Sequence, residues 1–282
     1  MIAASELILN PDGSVYHLGV KPEDVADTII TVGDPDRVPL VSQYLDEIEF
    51  KKNRRELVTH TGRLGKKRIT ILSTGMGTDN IDIVLNELDA LFNINLESRE
   101  IKKDITKLKI IRLGTSGAIS DKIPLDTLIA SEYAIGYDGL LGFYQLPAHP
   151  LSNVHVPEIG GNKGYIVPGS AALLNQLPDL FVKGVTYTAA GFYAPQGRII
   201  RASVIHPHLL ETLGNISLPG DRYITNIEME TSGLYGLGYA LGHEVLSISV
   251  LIANRIKGTF SSQPEVAIHQ MIESSLESII SF

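Results

Sequence analysis

Three turns rich in glycine and polar residues are the places in this sequence where ligand chemistry could occur. They read GDPDRV from Gly33, STGMG from Ser73 and IRLGTSGA from Ile111, and each follows a short apolar segment. Glycine supplies left-handed backbone conformations at no steric cost, so each turn taken alone is explained by turn geometry. Together they predict a ligand site, because the carboxyl ends of strands in α/β sheets converge on one edge.

The formal charge of the chain constrains the ligand. With a net charge of -8 over 282 residues, the overall field disfavours nucleic acids and anionic membranes, and we expect neither as a partner. If the substrate is an anion such as phosphate, a local cluster of arginines must hold it. The sequence has no Walker-type motif and no G-x-G-x-x-G motif, so neither a nucleoside triphosphate nor a dinucleotide cofactor is predicted.

Cysteine and histidine usage argues against disulfides and metal sites. The chain contains no cysteine, and His206 and His208 have no carboxylate partner at ligand spacing, so no metal is predicted. The first ten residues lack the basic residue of a signal peptide, and no segment approaches roughly 18 uninterrupted apolar residues. We therefore expect a cytoplasmic protein.

Short β-branched segments alternate with helix-like segments from Thr28 onwards, which predicts an α/β fold. No linker or internal repeat divides the chain, so one domain is predicted over residues 1–282. A stretch of mixed charge, residues 97–109, is interpreted as a solvated connector. The predicted strands are residues 28–32, 68–73, 109–113, 128–131 and 245–253, and the predicted helices are residues 79–92 and 264–280.

Taken in order along the chain, a set of short motifs resembles the uridine phosphorylase branch of the nucleoside phosphorylase family. GDPDRV and the EME triplet mark the wider family, and the spacing of Phe192, Gln196 and Arg198 marks the uridine branch. The resemblance implies a single α/β domain whose central mixed, twisted and partly barrel-like sheet is flanked by helices. The motifs are YHLGV from Tyr16, GDPDRV from Gly33, RRE from Arg54, STGMG from Ser73, IRLGTSGA from Ile111, FYAPQGR from Phe192, NIEMET from Asn226 and ANR from Ala253.

The resemblance implies a phosphate site and a ribose site. Three guanidinium groups and a backbone N–H can hold an anion that must lose water before it reacts. An alternative interpretation of Glu230 is a carboxylate that stabilises the dipole of the following helix. Carried over by motif, phosphate is bound by Gly33, Arg37, Arg112, Thr115 and, from a neighbouring subunit, Arg55; ribose is bound by Glu230 through its 2′ and 3′ hydroxyls, by Met229 and Glu228, and by His17 across a subunit boundary at the 5′ hydroxyl.

Base recognition is assigned by the same resemblance to Phe192, Gln196 and Arg198. A glutamine amide offers one acceptor and one donor, which complement a carbonyl and the N3–H of uracil. Arg198 can stabilise the negative charge that develops on the leaving base, and Phe192 offers an aromatic wall. Purine-directed relatives use an acidic residue after a late strand, whereas the corresponding stretch here, SISVLIANR from Ser247, has no carboxylate.

These residues predict the phosphorolysis of uridine to uracil and ribose 1-phosphate. Phosphate is the co-substrate, and Arg198, Gln196 and Glu230 are the predicted catalytic residues. Phosphate would attack C1′ directly while the departing base is stabilised, so no covalent nucleophile is required. A purine nucleoside phosphorylase, a nucleosidase that uses water in place of phosphate, and an inactive nucleoside-binding protein remain as alternatives.

Two departures from the family pattern bear on cofactors and assembly. The residues TDN after STGMG replace a Gly-Pro-Ser segment, which argues against a potassium site near Glu56, and no other cofactor is predicted. The long connector at residues 97–109 and the IIRLGTSG stretch resemble the animal-type branch. We therefore expect a homo-oligomer with active sites shared between subunits, a dimer in preference to a hexamer.

Overall fold

The computed structural model describes the backbone of residues 1–282 and every side chain except that of Asp221. Its helices are α1 (Arg37–Ser42), α2 (Thr78–Asn93), α3 (Ala171–Leu174), α4 (Leu209–Gly214), α5 (Thr231–Leu241) and α6 (Pro264–Ile279). Its strands are β1 (Thr28–Val32), β2 (Glu47–Arg54), β3 (Leu57–Leu64), β4 (Lys67–Ser73), β5 (Ile94–Asn95), β6 (Glu100–Ile101), β7 (Lys109–Ala118), β8 (Leu128–Gly136), β9 (Tyr165–Pro168), β10 (Val182–Thr188), β11 (Ile224–Glu228), β12 (Glu244–Asn254) and β13 (Thr259–Phe260).

Five strands close into a ring in the order β7, β12, β8, β10 and β11, because β11 and β12 both pair with β7. β7 also pairs with β1, and β4, β3 and β2 extend the same sheet outwards from β1. The sheet mixes parallel pairs, such as β1 with β4, and antiparallel pairs, such as β12 with β8. The predicted fold class, an α/β domain with a mixed, partly barrel-like sheet flanked by helices, is confirmed.

Apolar side chains cover the sheet on both faces, which explains why its central strands read as continuous apolar segments. All five residues of β1 are buried. One core cluster joins the sheet to α1 and α6 through residues such as Val41 and Met271, and a second joins it to α2 and α5 through Leu85 and Leu234. No helix among the described residues combines the length and the apolar character needed to cross a membrane.

Predicted and observed elements agree best where the apolar pattern is strongest. β1 has the predicted bounds, α6 and β4 differ from prediction by one residue at one end, and α2 and β12 differ by one residue at each end. The prediction that IRLGTSGA forms a turn is wrong, because β7 keeps its pairing with β12 as far as Ala118. Gly114 in this segment leaves room for a side chain. A Cβ atom there would collide with the guanidinium of Arg112 and lie 2.7 Å from its Cζ.

Several elements were absent from the sequence-based prediction. β2 has the sequence EIEFKKNR and is mostly exposed, so it shows no apolar segment. β8 continues to Gly136 beyond the predicted end at residue 131, opposite a register shift in β10. Residues 100–105 are exposed, in agreement with a solvated connector, but β6 within this stretch pairs with β5.

Candidate active site

The turns after β1 and β4 lie side by side, since these two strands are parallel neighbours. The carbonyl oxygen of Gly75 lies 3.5 Å from the position that a Cβ atom on Gly33 would take. Gly77 precedes α2 in a conformation with φ of 93°, and its N–H donates to Oε1 of Glu230 at 2.7 Å. The end of β11 therefore meets the turn after β4 at one edge of the sheet.

Arg112 is a buried cation with unused hydrogen-bonding capacity. The residue is 4% exposed, and its Nη2 donates to Oε2 of Glu230 and lies 3.4 Å from Oε2 of Glu228. Burial by itself lowers the pKa of Arg112, but Glu230 and Glu228 together raise that pKa above its ordinary value. Its Nε and Nη1 have no hydrogen-bond partner among the described residues. Two unpaired donors on a buried guanidinium form a site suited to an anion.

Arg37 adds a second positive charge to this edge. The residue is half-buried at the start of α1, and its Nη1 donates to the carbonyl oxygen of Leu113 at 3.4 Å. Burial lowers the pKa of Arg37, and the positive charge of Arg112 lowers it further. Because two like charges held together repel, an anion between them would stabilise both. Gly33 precedes Arg37 in the same turn, and Thr115 lies half-buried on β7 beyond Gly114.

Glu230 lies directly before α5, yet its side chain does not cap that helix. The carboxylate of Glu228 accepts from the N–H of Thr231 at 3.0 Å and so takes the capping position. The two oxygens of Glu230 instead accept from Gly77 and Arg112. Met229 is half-buried between the two glutamates. The structure thus places Arg37, Arg112, Glu228 and Glu230 in one charged group.

The residues predicted to contact the base form a second group, on the loop after β10. Gln196 is 3% exposed, and its Oε1 accepts from Nη1 of Arg198 at 2.6 Å. The guanidinium carbon of Arg198 lies 3.8 Å from the ring centroid of Phe192, a cation–π arrangement. Phe192 itself is 52% exposed. Thr188, the last residue of β10, connects this loop to the charged group by donating to Oε1 of Glu228 at 2.7 Å.

Arg255 is a candidate site residue that the sequence interpretation did not assign. Burial lowers the pKa of Arg198, and the positive charge of Arg255 lowers it further, so the two charges interact. Cγ of Arg255 lies 3.2 Å from the position of a Cβ atom on Gly117, and its Nη1 is buried with no partner among the described residues. The ANR motif at the end of β12 contains this arginine, but the motif alone indicates no role for it.

Two predicted site residues lie apart from both groups in the single chain. The backbone N–H of His17 donates to Oε1 of Glu87 on α2 at 2.8 Å, and its Nδ1 lies 2.7 Å from the same oxygen. Arg55 is exposed in the turn between β2 and β3, with φ of 56°. Neither makes a hydrogen bond or ion pair to the charged group within the part of the chain that is described.

A cavity of about 720 Å³ borders the base-contacting loop at Ala194 and Pro195. Its walls include Tyr137, Tyr165 and Tyr187 together with Pro195, and they contain none of the predicted site residues. Among the described side chains, no group of three or more histidine, aspartate or glutamate residues is placed to hold a metal ion. The charged group and the base-contacting group therefore remain the candidate site.

Comparison with known proteins places the chain in a family. A model of the phosphorylase superfamily matches residues 27–277. A uridine phosphorylase from Thermococcus kodakarensis is 28% identical over 258 residues, which span 90% of this chain and 82% of that protein. A DeoD-type purine nucleoside phosphorylase from Bacillus thuringiensis is 25% identical over 267 residues, which span 94% of this chain and 98% of that protein.

A solved structure supports the same assignment. It is that of a Trypanosoma brucei nucleoside phosphorylase described as showing uridine phosphorylase activity. The two chains superpose with a TM-score of 0.85 at 28% identity, over 98% of this chain and 100% of the other. These matches confirm the family resemblance seen in the sequence. The chain belongs to the phosphorylase superfamily.

Proposed function

We propose that this protein is a uridine phosphorylase, which cleaves uridine with inorganic phosphate to give uracil and ribose 1-phosphate. The observation that carries the proposal is the arrangement around Arg112: two buried donors with no partner among the described residues, a second cation at Arg37, and a carboxylate at Glu230. A phosphate nucleophile needs cations, and a ribose diol needs a hydrogen-bond acceptor. The arginines and the carboxylate that meet these two needs lie at one edge of the sheet. Two of the relatives described above are uridine phosphorylases by name or by reported activity.

In the proposed mechanism, phosphate attacks C1′ directly. A bond forms between C1′ and a phosphate oxygen, while the C1′–N1 bond breaks and its electron pair leaves with the base. The ribose is cationic in the transition state, between an anionic phosphate and an anionic base. Arg37 and Arg112 hold phosphate in line, and Gln196 and Arg198 stabilise the base. Phosphate is the co-substrate, and no other cofactor takes part.

Glu230 is proposed to accept hydrogen bonds from the 2′ and 3′ hydroxyls of ribose. Its carboxylate is held in a fixed direction by the N–H of Gly77 and by Arg112, so it is oriented before substrate binds. Met229 packs on the sugar face, and Gly33 and Thr115 complete the phosphate site. This arrangement links sugar recognition to phosphate binding, because Arg112 donates to Glu230 and also offers its remaining donors to phosphate.

Active sites shared between subunits of a homodimer are part of the proposal. Arg55 is exposed at the tip of a hairpin, which suits a side chain that reaches a neighbouring subunit. His17 is held by Glu87 through Nδ1, which leaves Nε2 to donate to or accept from the 5′ hydroxyl of a nucleoside across the boundary. Both residues would complete a site on the partner.

A purine nucleoside phosphorylase is the second candidate, and the match to the Bacillus thuringiensis enzyme over 94% of this chain favours it. The residues after β12 favour uridine. That stretch offers Arg255 and no carboxylate, and a purine ring needs an acid near N7 to leave as a neutral base. Gln196 with Arg198 also complements uracil.

A panel of nucleosides tests the proposal. Uridine, thymidine and inosine are incubated with the protein and phosphate, and the bases released are quantified by chromatography. We expect kcat/KM for uridine to exceed that for inosine by about 100-fold, because a purine leaves the uracil-specific polar groups unpaired. Equal cleavage of inosine would indicate the purine enzyme, and no cleavage of any nucleoside would indicate a binding protein.

A further inference from the structure

We propose that Glu228 is a positioning residue, which fixes the direction of Arg112 and makes no contact with the ribose. The family resemblance assigns Glu228 to ribose, so this inference changes its role. The inference rests on the proposed function in one respect, namely that Arg112 binds phosphate. Its basis is the set of hydrogen bonds that Glu228 already makes inside the protein.

The carboxylate of Glu228 has no free acceptor position. The residue is 5% exposed, and its Oε1 accepts from Oγ1 of Thr188 at 2.7 Å and from the N–H of Thr231 at 3.2 Å. Its Oε2 accepts from the N–H of Glu230 at 3.0 Å and from Oγ1 of Thr231 at 2.8 Å. A carboxylate offers about four lone-pair positions, so these donors saturate it and leave none for a sugar hydroxyl.

The position of Glu228 explains which donors of Arg112 stay free. Its Oε2 lies 3.4 Å from Nη2 of Arg112, the same nitrogen that donates to Glu230. Because a guanidinium is planar, attracting one nitrogen towards two carboxylates fixes the whole plane. Nε and Nη1 are the atoms left without partners in the described part of the chain, and Gly114 leaves room for this orientation. Glu228 thereby helps to hold Arg112 in the orientation that leaves these two donors available for the proposed phosphate.

Thr188 holds Glu228 from the opposite side. Its hydroxyl donates to Oε1 of Glu228 at 2.7 Å and accepts from the N–H of Ser232 at 2.9 Å, and the residue is fully buried. The hydroxyl is thus satisfied as donor and as acceptor, which fixes its rotation. β10 ends at Thr188 and continues into the loop that carries Gln196. One chain of contacts therefore runs from the base-contacting loop to Arg112.

Kinetics with Glu228→Gln separate positioning from ribose binding. Losing the charge frees Arg112, so we expect the KM for phosphate to rise about tenfold, as for one lost charge-assisted contact. The ratio of kcat/KM for uridine to that for 2′-deoxyuridine should stay within about twofold of wild type, because Glu230 keeps its hydrogen bond from Gly77 and its contact with Arg112, and no ribose contact is lost. An unchanged KM for phosphate together with a tenfold fall in that ratio would show that Glu228 binds ribose.

Thr188 supplies an independent pair of variants in case Glu228→Gln fails to fold. Thr188→Val keeps the shape and removes the hydroxyl, so we expect it to raise the KM for phosphate. Thr188→Ser restores the hydroxyl and should recover most of that loss. A fall in kcat or in Tm with no change in the KM for phosphate, in both Glu228→Gln and Thr188→Val, would show a merely structural role and overturn the inference.

Calorimetric titration with inorganic phosphate distinguishes failure of this inference from failure of the proposed function. It needs no nucleoside, so it reports on Arg112 even if wild type does not cleave uridine. If Glu228 positions Arg112, Glu228→Gln and Thr188→Val should bind phosphate more weakly than wild type and Thr188→Ser do. Equal phosphate affinity in all four proteins would overturn it, whatever the nucleoside specificity proves to be.

Discussion

Replacing Gly114 with alanine would displace Arg112 without changing any charged residue. Gly114 lies in β7 outside the left-handed region, so alanine causes no backbone strain there. The new Cβ atom would lie 2.7 Å from Cζ of Arg112. Carbon atoms in contact are ordinarily about 3.5 Å apart or more, and the new Cβ atom also overlaps Nη1 of Arg112, so the guanidinium must move by at least about 1 Å. The collision involves the end of a flexible side chain, and we therefore expect the protein to fold.

A displacement of this size acts on both substrates, because Arg112 contacts Glu230 and provides the free donors for phosphate. Misplacing a positioning group by 1 Å costs about 100-fold in rate. We therefore expect kcat/KM for uridine at fixed phosphate to fall about 100-fold in Gly114→Ala, equivalent to about 2.7 kcal/mol of transition-state stabilisation. The KM for phosphate should rise in the same variant.

Steady-state release of uracil, followed by absorbance, measures this effect. Gly214→Ala is a matched control, since a Cβ atom on Gly214, at the end of α4, meets no atom within 4 Å. The control should retain wild-type activity within about twofold. Wild-type kinetics in a folded Gly114→Ala protein would refute the reasoning, because they would mean that the orientation of Arg112 does not matter.

Three further predictions concern the base and the stability of the fold. Arg198→Ala should lower the turnover of uridine more than it weakens phosphate binding, and equal loss in both would contradict its role. Arg255→Ala should lower kcat for uridine about tenfold, since its charge acts on Arg198 and its buried Nη1 has no partner among the described residues, and an unchanged kcat would exclude it from the site. The hydrogen bond from Arg222 holds the pKa of Glu132 below its ordinary value. The pair therefore stabilises the folded protein at pH values above the pKa of a free glutamate. This stabilisation is lost as the pH falls through the lower pKa that Glu132 has in the folded protein. Glu132→Gln should therefore lower Tm at pH 7 by about 2 °C, with the difference from wild type shrinking below about pH 4. A difference in Tm that is constant over this range would contradict the assigned ion pair.

Local apolar patterns were sufficient to predict the central elements of the fold. β1 is buried on both faces, and its TIITV sequence is accordingly apolar or β-branched throughout. The edge strand β2 was not predicted because charged residues occupy both of its faces and remove any apolar alternation. Gly114 was misread as part of a turn, since a glycine that makes room for a side chain looks the same in sequence as one that permits a left-handed backbone.

The candidate site was predictable in its residues more than in its contacts. The motifs identified Arg37, Arg112 and Glu230, and the structure places these three together. Their hydrogen bonds join residues far apart in the chain, such as Arg112 and Glu230, which no local pattern reports. The saturation of Glu228 by Thr188 and Thr231 is likewise a property of packing, visible only once β10 and β11 lie side by side.

The requirement for phosphate tests the central claim most directly. Uridine is incubated with the protein in phosphate-free buffer and then with increasing phosphate, and both uracil and the sugar product are quantified. The account predicts that cleavage depends on phosphate and yields ribose 1-phosphate in equal amount to uracil. Cleavage at the same rate without phosphate, with release of free ribose, would contradict it.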